Sequence, residues 1–156
     1  MPVPVRPVGA SAFVARGFWK FSYLRRIGHE RVNDTPTETP IKWRRGLGII
    51  GECWETGQVL TVDTGSIDAE YGQCTKEEWE KAPPETRRRR SYEQYVKVRG
   101  KYGTVIAAAI TKNQKVVGVV ALDGPKGYHQ QLARPEIESA VRSAAATIRE
   151  LLYGDA

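Results

Sequence analysis

The sequence predicts an α+β domain with helices packed on an antiparallel sheet. Two observations carry this reading: strand pairs with short polar connections occur at both ends of the chain, and an amphipathic helical stripe closes it. At 156 residues the chain has the size of one domain, so residues 1–156 are read as a single folded unit. A chain this long buries about two-thirds of its unfolded surface and needs no disulfide or metal staple.

Val8 to Arg16 (VGASAFVAR) places Val8, Ala10, Ala12 and Val14 at one parity, which suits a strand buried on both sides. Tyr23 to Val32 (YLRRIGHERV) alternates less cleanly but leans to β, so Gly17 to Ser22 becomes the hairpin connection. Asn33 to Pro40 (NDTPTETP) is loop by composition. Trp43, Leu47, Ile50 and Trp54 then recur at helical spacing, with Gly57 as the C-terminal stop, although Gly46, Gly48 and Gly51 weaken the helix. Val59 to Val62 reads as a short buried strand ending at Asp63. Thr64 to Lys101 is polar, with helical patches at Lys76 to Lys81 and Thr86 to Val98 divided by Pro83-Pro84. Thr104 to Ile110 and Val116 to Leu122 are strands joined by the polar loop Thr111 to Lys115. Pro135 starts a last helix whose Ile137, Val141, Ala144, Ile148 and Leu151 form one apolar stripe, with Gly154 at its end.

Hydrophobic residues at 40% and charged residues at 27% argue against disorder, collagen and coiled coil. No apolar run approaches the roughly 18 residues of a membrane span, and Met1 to Pro7 has no signal-peptide core, so the expected location is the cytoplasm, without membrane contact. Two cysteines and two histidines show no metal-ligand spacing, and neither a metal nor a cofactor is expected. The net charge of +6 is concentrated: Trp79 to Lys101 holds eight Lys/Arg against three Glu. That run reads either as a solvated helix face or as an anion- or partner-binding surface built on Arg87, Arg88, Arg89 and Arg90. Tyr92, Tyr95 and Tyr102 lie among these basic residues as a single-strand nucleic-acid binder would use them, and they fit the apolar side of a helix equally well.

Gly46 to Asp63 (GLGIIGECWETGQVLTVD), followed about forty residues later by Val105 to Pro125 (VIAAAITKNQKVVGVVALDGP), resembles a GAF domain. The first block resembles the family's glycine-rich helix and the strand after it, the second its central hairpin. Val8 to Val32 and Pro135 to Tyr153 fall where the family keeps its first hairpin and closing helix. The family's upstream helix is not recognisable, and Ala109 stands where proline is common, so the chain reads as a short form or a piece of a longer protein. The resemblance implies a GAF-like α+β fold: a central antiparallel sheet of about five or six strands, helices packed on it, and a helical or loop lid over the opposite face. The same glycines match the dinucleotide-binding string, but that chemistry needs a buried parallel strand before the turn, and Thr39 to Arg45 is charged and loop-like.

Fold does not fix ligand in this family, whose members bind cyclic nucleotides, tetrapyrroles, haem, amino acids or oxoacids. The resemblance puts the pocket between the sheet and the segment Thr64 to Gly103. Ligand-binding candidates are therefore Tyr71, Cys74, Trp79, Tyr92 and Tyr95 in that segment, with Asp63 and Asp123 at strand ends. Either aspartate could receive a ligand amine or hydroxyl, or simply cap the following turn. Trp43 and Trp54 read as core. Bilin attachment in the family uses Cys-His, whereas Cys74 precedes Thr75 and Cys53 precedes Trp54. In the family's methionine sulfoxide reductases the helix cysteine falls on Ile50, three positions before Cys53. The implied function is a non-catalytic regulatory or sensor module of a cytoplasmic signalling protein, binding a small ligand, anionic where it matches the charge of the lid, or a protein partner. It would couple to an output domain or partner protein, and the stripe of the C-terminal helix fits either a homodimer contact or a core face without any dimer. The alternatives are a basic surface (Arg87 to Arg90) binding nucleic acid or an acidic partner, and a thiol-based enzyme resembling methionine sulfoxide reductase.

Overall fold

The computed structural model describes residues 8–31 and 41–154. Its elements are β1 (Gly9–Arg16), β2 (Tyr23–Arg31), α1 (Gly48–Thr56), β3 (Leu60–Val62), α2 (Thr64–Tyr71), α3 (Lys76–Glu80), α4 (Pro84–Arg87), α5 (Tyr92–Val98), β4 (Thr104–Lys112), β5 (Lys115–Gly124), α6 (His129–Leu132) and α7 (Pro135–Tyr153). Among the described residues five strands form one sheet in the order β2-β1-β5-β4-β3, every neighbouring pair antiparallel. This is the α+β, GAF-like arrangement expected. The loop reading of Asn33 to Pro40, and Val32 at the end of the second strand, lie outside the described residues.

The central strands read as unbroken apolar runs because both faces of the sheet are covered. Phe13, Val105, Ala107, Val119 and Ala121 share one core with Ile49, Ile50, Cys53 and Trp54 of α1. Ala12, Ile106, Ala108, Ile110 and Val120 meet Leu132, Val141 and Ala145 of α6 and α7 on the other face. Fully burying one such aliphatic side chain stabilises the fold by roughly 1.5–3 kcal/mol. Thr61 Oγ1 donates to Glu138 Oε1 at 2.7 Å and ties the β3 edge to α7. No helix of the described residues is long and apolar enough to cross a membrane.

Several element boundaries differ from the sequence reading. The helix expected from Trp43 starts only at Gly48, because Gly46 and Gly48 have φ of +75° and +65°. Trp43 packs on the same core from outside the helix, so its burial was legible and its helicity was not. The β4–β5 connection is a two-residue turn, Asn113-Gln114 with φ of +49° and +62°, rather than a five-residue loop. In α7 the buried stripe runs Ile137, Val141, Ala145 and Ile148, while Ala144 and Leu151 face solvent. Thr64 to Tyr71 is a helix with no apolar stripe to announce it, and Thr86 to Val98 is broken between α4 and α5.

Candidate ligand-binding cavity

Residues 64–103 fold over the α1 side of the sheet as four short helices, and between them and the strands lies a cavity of about 80 Å³. Phe13, Val105 and Ala121 form its floor, Ile49 and Ile50 one wall, and Ile67, Tyr95, Val98 and Tyr102 the roof, with Trp43 at the side. The polar groups on its surface are Ser11, Arg26, Thr64, Asp68, Arg90 and Asp123. An apolar hollow with a few convergent polar groups is the usual form of a small-molecule site.

The lid is built on local sequence signals. Thr75 and Glu78 form a reciprocal capping box for α3, and Ser91 and Gln94 do the same for α5. Trp79 stacks on Tyr95 with ring centroids 3.9 Å apart, and Tyr71 meets Trp79 edge-on at 5.8 Å. Trp79 Nε1 donates to the Arg90 carbonyl at 3.0 Å. Tyr95 OH donates to Asp68 Oδ1 at 2.9 Å and the Gly100 amide to Asp68 Oδ2 at 2.7 Å, which fastens α5 to α2. Burial, together with that carboxylate, pushes the Tyr95 phenol well above its ordinary pKa.

Arg88 and Arg89 have φ of +46° and +59°, and this left-handed pair turns Arg90 inward. Arg90 is only 7% exposed. Its Nε donates to the Arg87 carbonyl at 3.1 Å and its Nη2 to the Thr86 carbonyl at 3.1 Å. Its guanidinium lies 5.7 Å from the Trp79 and Tyr95 ring centres, and no carboxylate of the described residues forms an ion pair with it. Burial, with Arg88 adding to it, draws its pKa down to about 10, so it stays charged at neutral pH. Arg26 reaches the cavity from β2 with its guanidinium 5.3 Å from the Phe13 ring centre.

Of the residues singled out from sequence, Tyr95, Asp123 and Arg90 line the cavity. Asp63 instead caps α2, accepting from the Ser66 amide at 3.0 Å and the Ser66 hydroxyl at 2.7 Å. Tyr71 and Trp79 belong to the aromatic centre of the lid, and Tyr92 donates its hydroxyl to the Cys74 carbonyl at 3.1 Å. Cys74 is half-buried away from the cavity wall. Arg87 Nε donates to the Ala82 carbonyl at 2.8 Å, Arg88 pairs with Glu52 at 2.8 Å and Arg89 with Glu55 at 3.3 Å. The four arginines thus do not share one free face: two tie the lid to α1, one braces α4 and one points inward. The cavity residues Ser11, Arg26, Thr64 and Asp68 were not among the candidates, while Trp43 reads from sequence as core and Tyr102 as one of the tyrosines among the basic residues. Parity could have found Arg26, which lies two residues from buried Leu24 on the same strand face.

No protein-family model matches the chain, and no curated protein matches its sequence. Solved structures match it in fold. The GAF domain of a phosphoenolpyruvate-protein phosphotransferase from Coxiella burnetii is 14% identical with a TM-score of 0.57, over 92% of this chain and 70% of that one. A type II free methionine-R-sulfoxide reductase from Thermoplasma acidophilum is 10% identical with a TM-score of 0.55, over 93% and 78%. NreA from Staphylococcus aureus, in a form mutated in its nitrate binding site, is 16% identical with a TM-score of 0.50, over 76% and 71%.

Proposed function

We propose that this chain, whose fold is GAF-like, is a non-catalytic sensor module that binds a small oxyanion or carboxylate between sheet and lid. The observation that carries the reading is Arg90: a charged guanidinium is held at the cavity by two backbone carbonyls and has no carboxylate ion pair among the described residues. A planar guanidinium favours planar or tetrahedral anions, and the apolar part of the wall would strengthen that attraction against the opposing charge of Asp68 and Asp123. NreA, a neighbour in fold, carries a nitrate binding site, which agrees with an anion of few atoms.

The same segment that presents Arg90 is tied to α1 by the Glu52 and Glu55 pairs and by the Gly48 amide, which donates to the Arg88 carbonyl at 2.8 Å. An occupied cavity would tighten these joints and pass the change to a neighbouring output domain of a signalling protein. Leu151 and Leu152, 80% and 45% exposed on the last turn of α7, support pairing with a second copy there.

A thiol enzyme is less well supported. Cys53 is fully buried, and burial with Glu52 beside it pushes its thiol up to about 12. Cys74 is also raised, by desolvation and then by Glu78. Ser11 Oγ lies 2.9 Å from His29 Nδ1, but no carboxylate among the described residues orients that imidazole. The nucleic-acid reading would require phosphates to displace Glu52 and Glu55 from Arg88 and Arg89.

The test is a thermal-shift titration with nitrate, phosphate, acetate and pyruvate at constant ionic strength. One of these anions should raise the melting temperature of the wild type in a saturable way, and Ala121→Leu, which fills the floor of the cavity, should remove the effect. No stabilisation by any anion, or an undiminished response in Ala121→Leu, would overturn the proposal.

A further inference from the structure

The connection between β1 and β2 is Gly17-Phe-Trp-Lys-Phe-Ser22, and its three aromatics are the most conspicuous exposed apolar groups of the described chain. Phe18, Trp19 and Phe21 are 82%, 82% and 68% exposed. Scattered exposed apolar residues are ordinary, but three large rings within four positions form a patch that calls for a partner.

The tip has a defined shape. Gly17 turns the chain at φ +84°, and Trp19 is held at φ +53°, a conformation that a bulky residue adopts only when its surroundings impose it. Residues 19–21 form a 3₁₀ turn in which the Phe21 amide donates to the Phe18 carbonyl at 3.1 Å. The Ser22 amide and hydroxyl donate to the Trp19 carbonyl at 3.0 and 2.6 Å. Arg44 Nη1 reaches across and donates to the Lys20 carbonyl at 3.3 Å. The carbonyls of residues 18, 19 and 20 are therefore all satisfied within the protein. Those three carbonyls lose no hydrogen bond when the tip leaves water for a low-dielectric medium.

Cations lie around the rings. Arg16 and Lys20 flank the tip, and Lys42 and Arg44 join it from the segment that pairs with the start of β2 through the Leu24 amide and Trp43 carbonyl. Lys42 Nζ lies 4.1 Å from the Tyr23 ring centre and Lys20 Nζ 5.5 Å from that of Phe21. Residues 8–29 and 41–51 contain no Asp or Glu, so nothing in these segments neutralises the group.

We propose that this hairpin tip docks on an anionic lipid bilayer, with Phe18, Trp19 and Phe21 entering the headgroup boundary and Arg16, Lys20, Lys42 and Arg44 resting on lipid phosphates. Exposed aromatic rings with cations beside them match the polarity profile of a membrane interface. A projecting tip would need a matched pocket on a protein partner, whereas a bilayer accommodates it without one. The inference revises the expectation that the chain makes no membrane contact and is independent of the cavity and its ligand.

The test is co-sedimentation of the full chain with vesicles of phosphatidylcholine alone and of phosphatidylcholine mixed with phosphatidylglycerol. Wild type should bind the mixed vesicles, lose binding at high salt, and leave neutral vesicles largely unbound. Phe18→Ser/Trp19→Ser/Phe21→Ser should weaken binding by at least about tenfold, and Lys20→Glu/Arg44→Glu should weaken it comparably. All five side chains are exposed, and circular dichroism checks that each variant is folded. For a readout without mutation, brominated lipid should quench the fraction of tryptophan emission that comes from Trp19, because Trp54 and Trp79 are buried and Trp43 is half-buried. Absence of binding to anionic vesicles, or binding and quenching unchanged in the triple variant, would overturn the proposal. A wild-type dimer that the triple variant abolishes, without vesicle binding, would assign the tip to a protein interface instead.

Discussion

Asp63 shows how a side chain at a strand end can serve the backbone rather than a ligand. Partial burial works against its charge, but the hydrogen bonds from Ser66 outweigh that and hold its carboxyl below the ordinary range. A group with a lowered folded pKa adds stability at pH values above its unfolded pKa, and that stability is lost as pH falls through the folded value. Asp63→Ala should therefore cost about 1 kcal/mol at neutral pH, and the difference from wild type should shrink as the pH drops below about 3.9. Urea denaturation at neutral and acid pH measures both. The aspartate's place at a strand end was legible from the V-L-T-V-D run, but its choice of Ser66 over a ligand depended on α2 starting at the next residue. Arg26 was hidden for a different reason: a charged residue in a strand reads as solvent-facing, and its parity with Leu24 points inward only once that face is known to be the covered one.

At the scale of elements, the glycine-rich stretch before and within α1 is a packing device. A Cβ on Gly48 would lie 2.7 Å from the Trp43 ring, and one on Gly51 would collide with the Arg44 carbonyl oxygen. The Gly46 amide donates to the Gly51 carbonyl at 2.8 Å, so the loop folds back onto the helix that follows it. Gly51→Ala should lower stability by about 1–3 kcal/mol despite its better helix propensity, and a melting curve that shifts upward instead would contradict this account. The lid was less legible than the sheet. Its helices are four to eight residues long and have few buried residues of their own, so periodicity had little to register. Their boundaries were nonetheless written in the T-x-x-E and S-x-x-Q capping boxes at Thr75 and Ser91. The break between α4 and α5 rests on two arginines in left-handed conformation, a choice that no propensity favours.

At the scale of the molecule, α7 covers one face of the sheet and leaves Leu151 and Leu152 exposed at its end. If these residues pair two copies, Leu151→Glu/Leu152→Glu should convert a dimer into a monomer in native mass spectrometry with the melting of each subunit unchanged. A wild-type monomer at micromolar concentration would end that idea. The sheet, its hairpins, the closing helix and the GAF-like arrangement were determined by the sequence itself. Apolar periodicity and turn residues act over a few positions, and the core follows once two faces must be buried. The cavity and the duties of its arginines were decided only by tertiary structure. Arg26 and Arg90 stand 64 positions apart and meet at one hollow, whereas Arg87, Arg88 and Arg89, adjacent to Arg90, are spent on carbonyls and glutamates. A run of like charges fixes how much charge a segment carries. Which of those charges is buried, paired or left to meet a ligand depends on neighbours far away in sequence, and those exist only once the chain has folded.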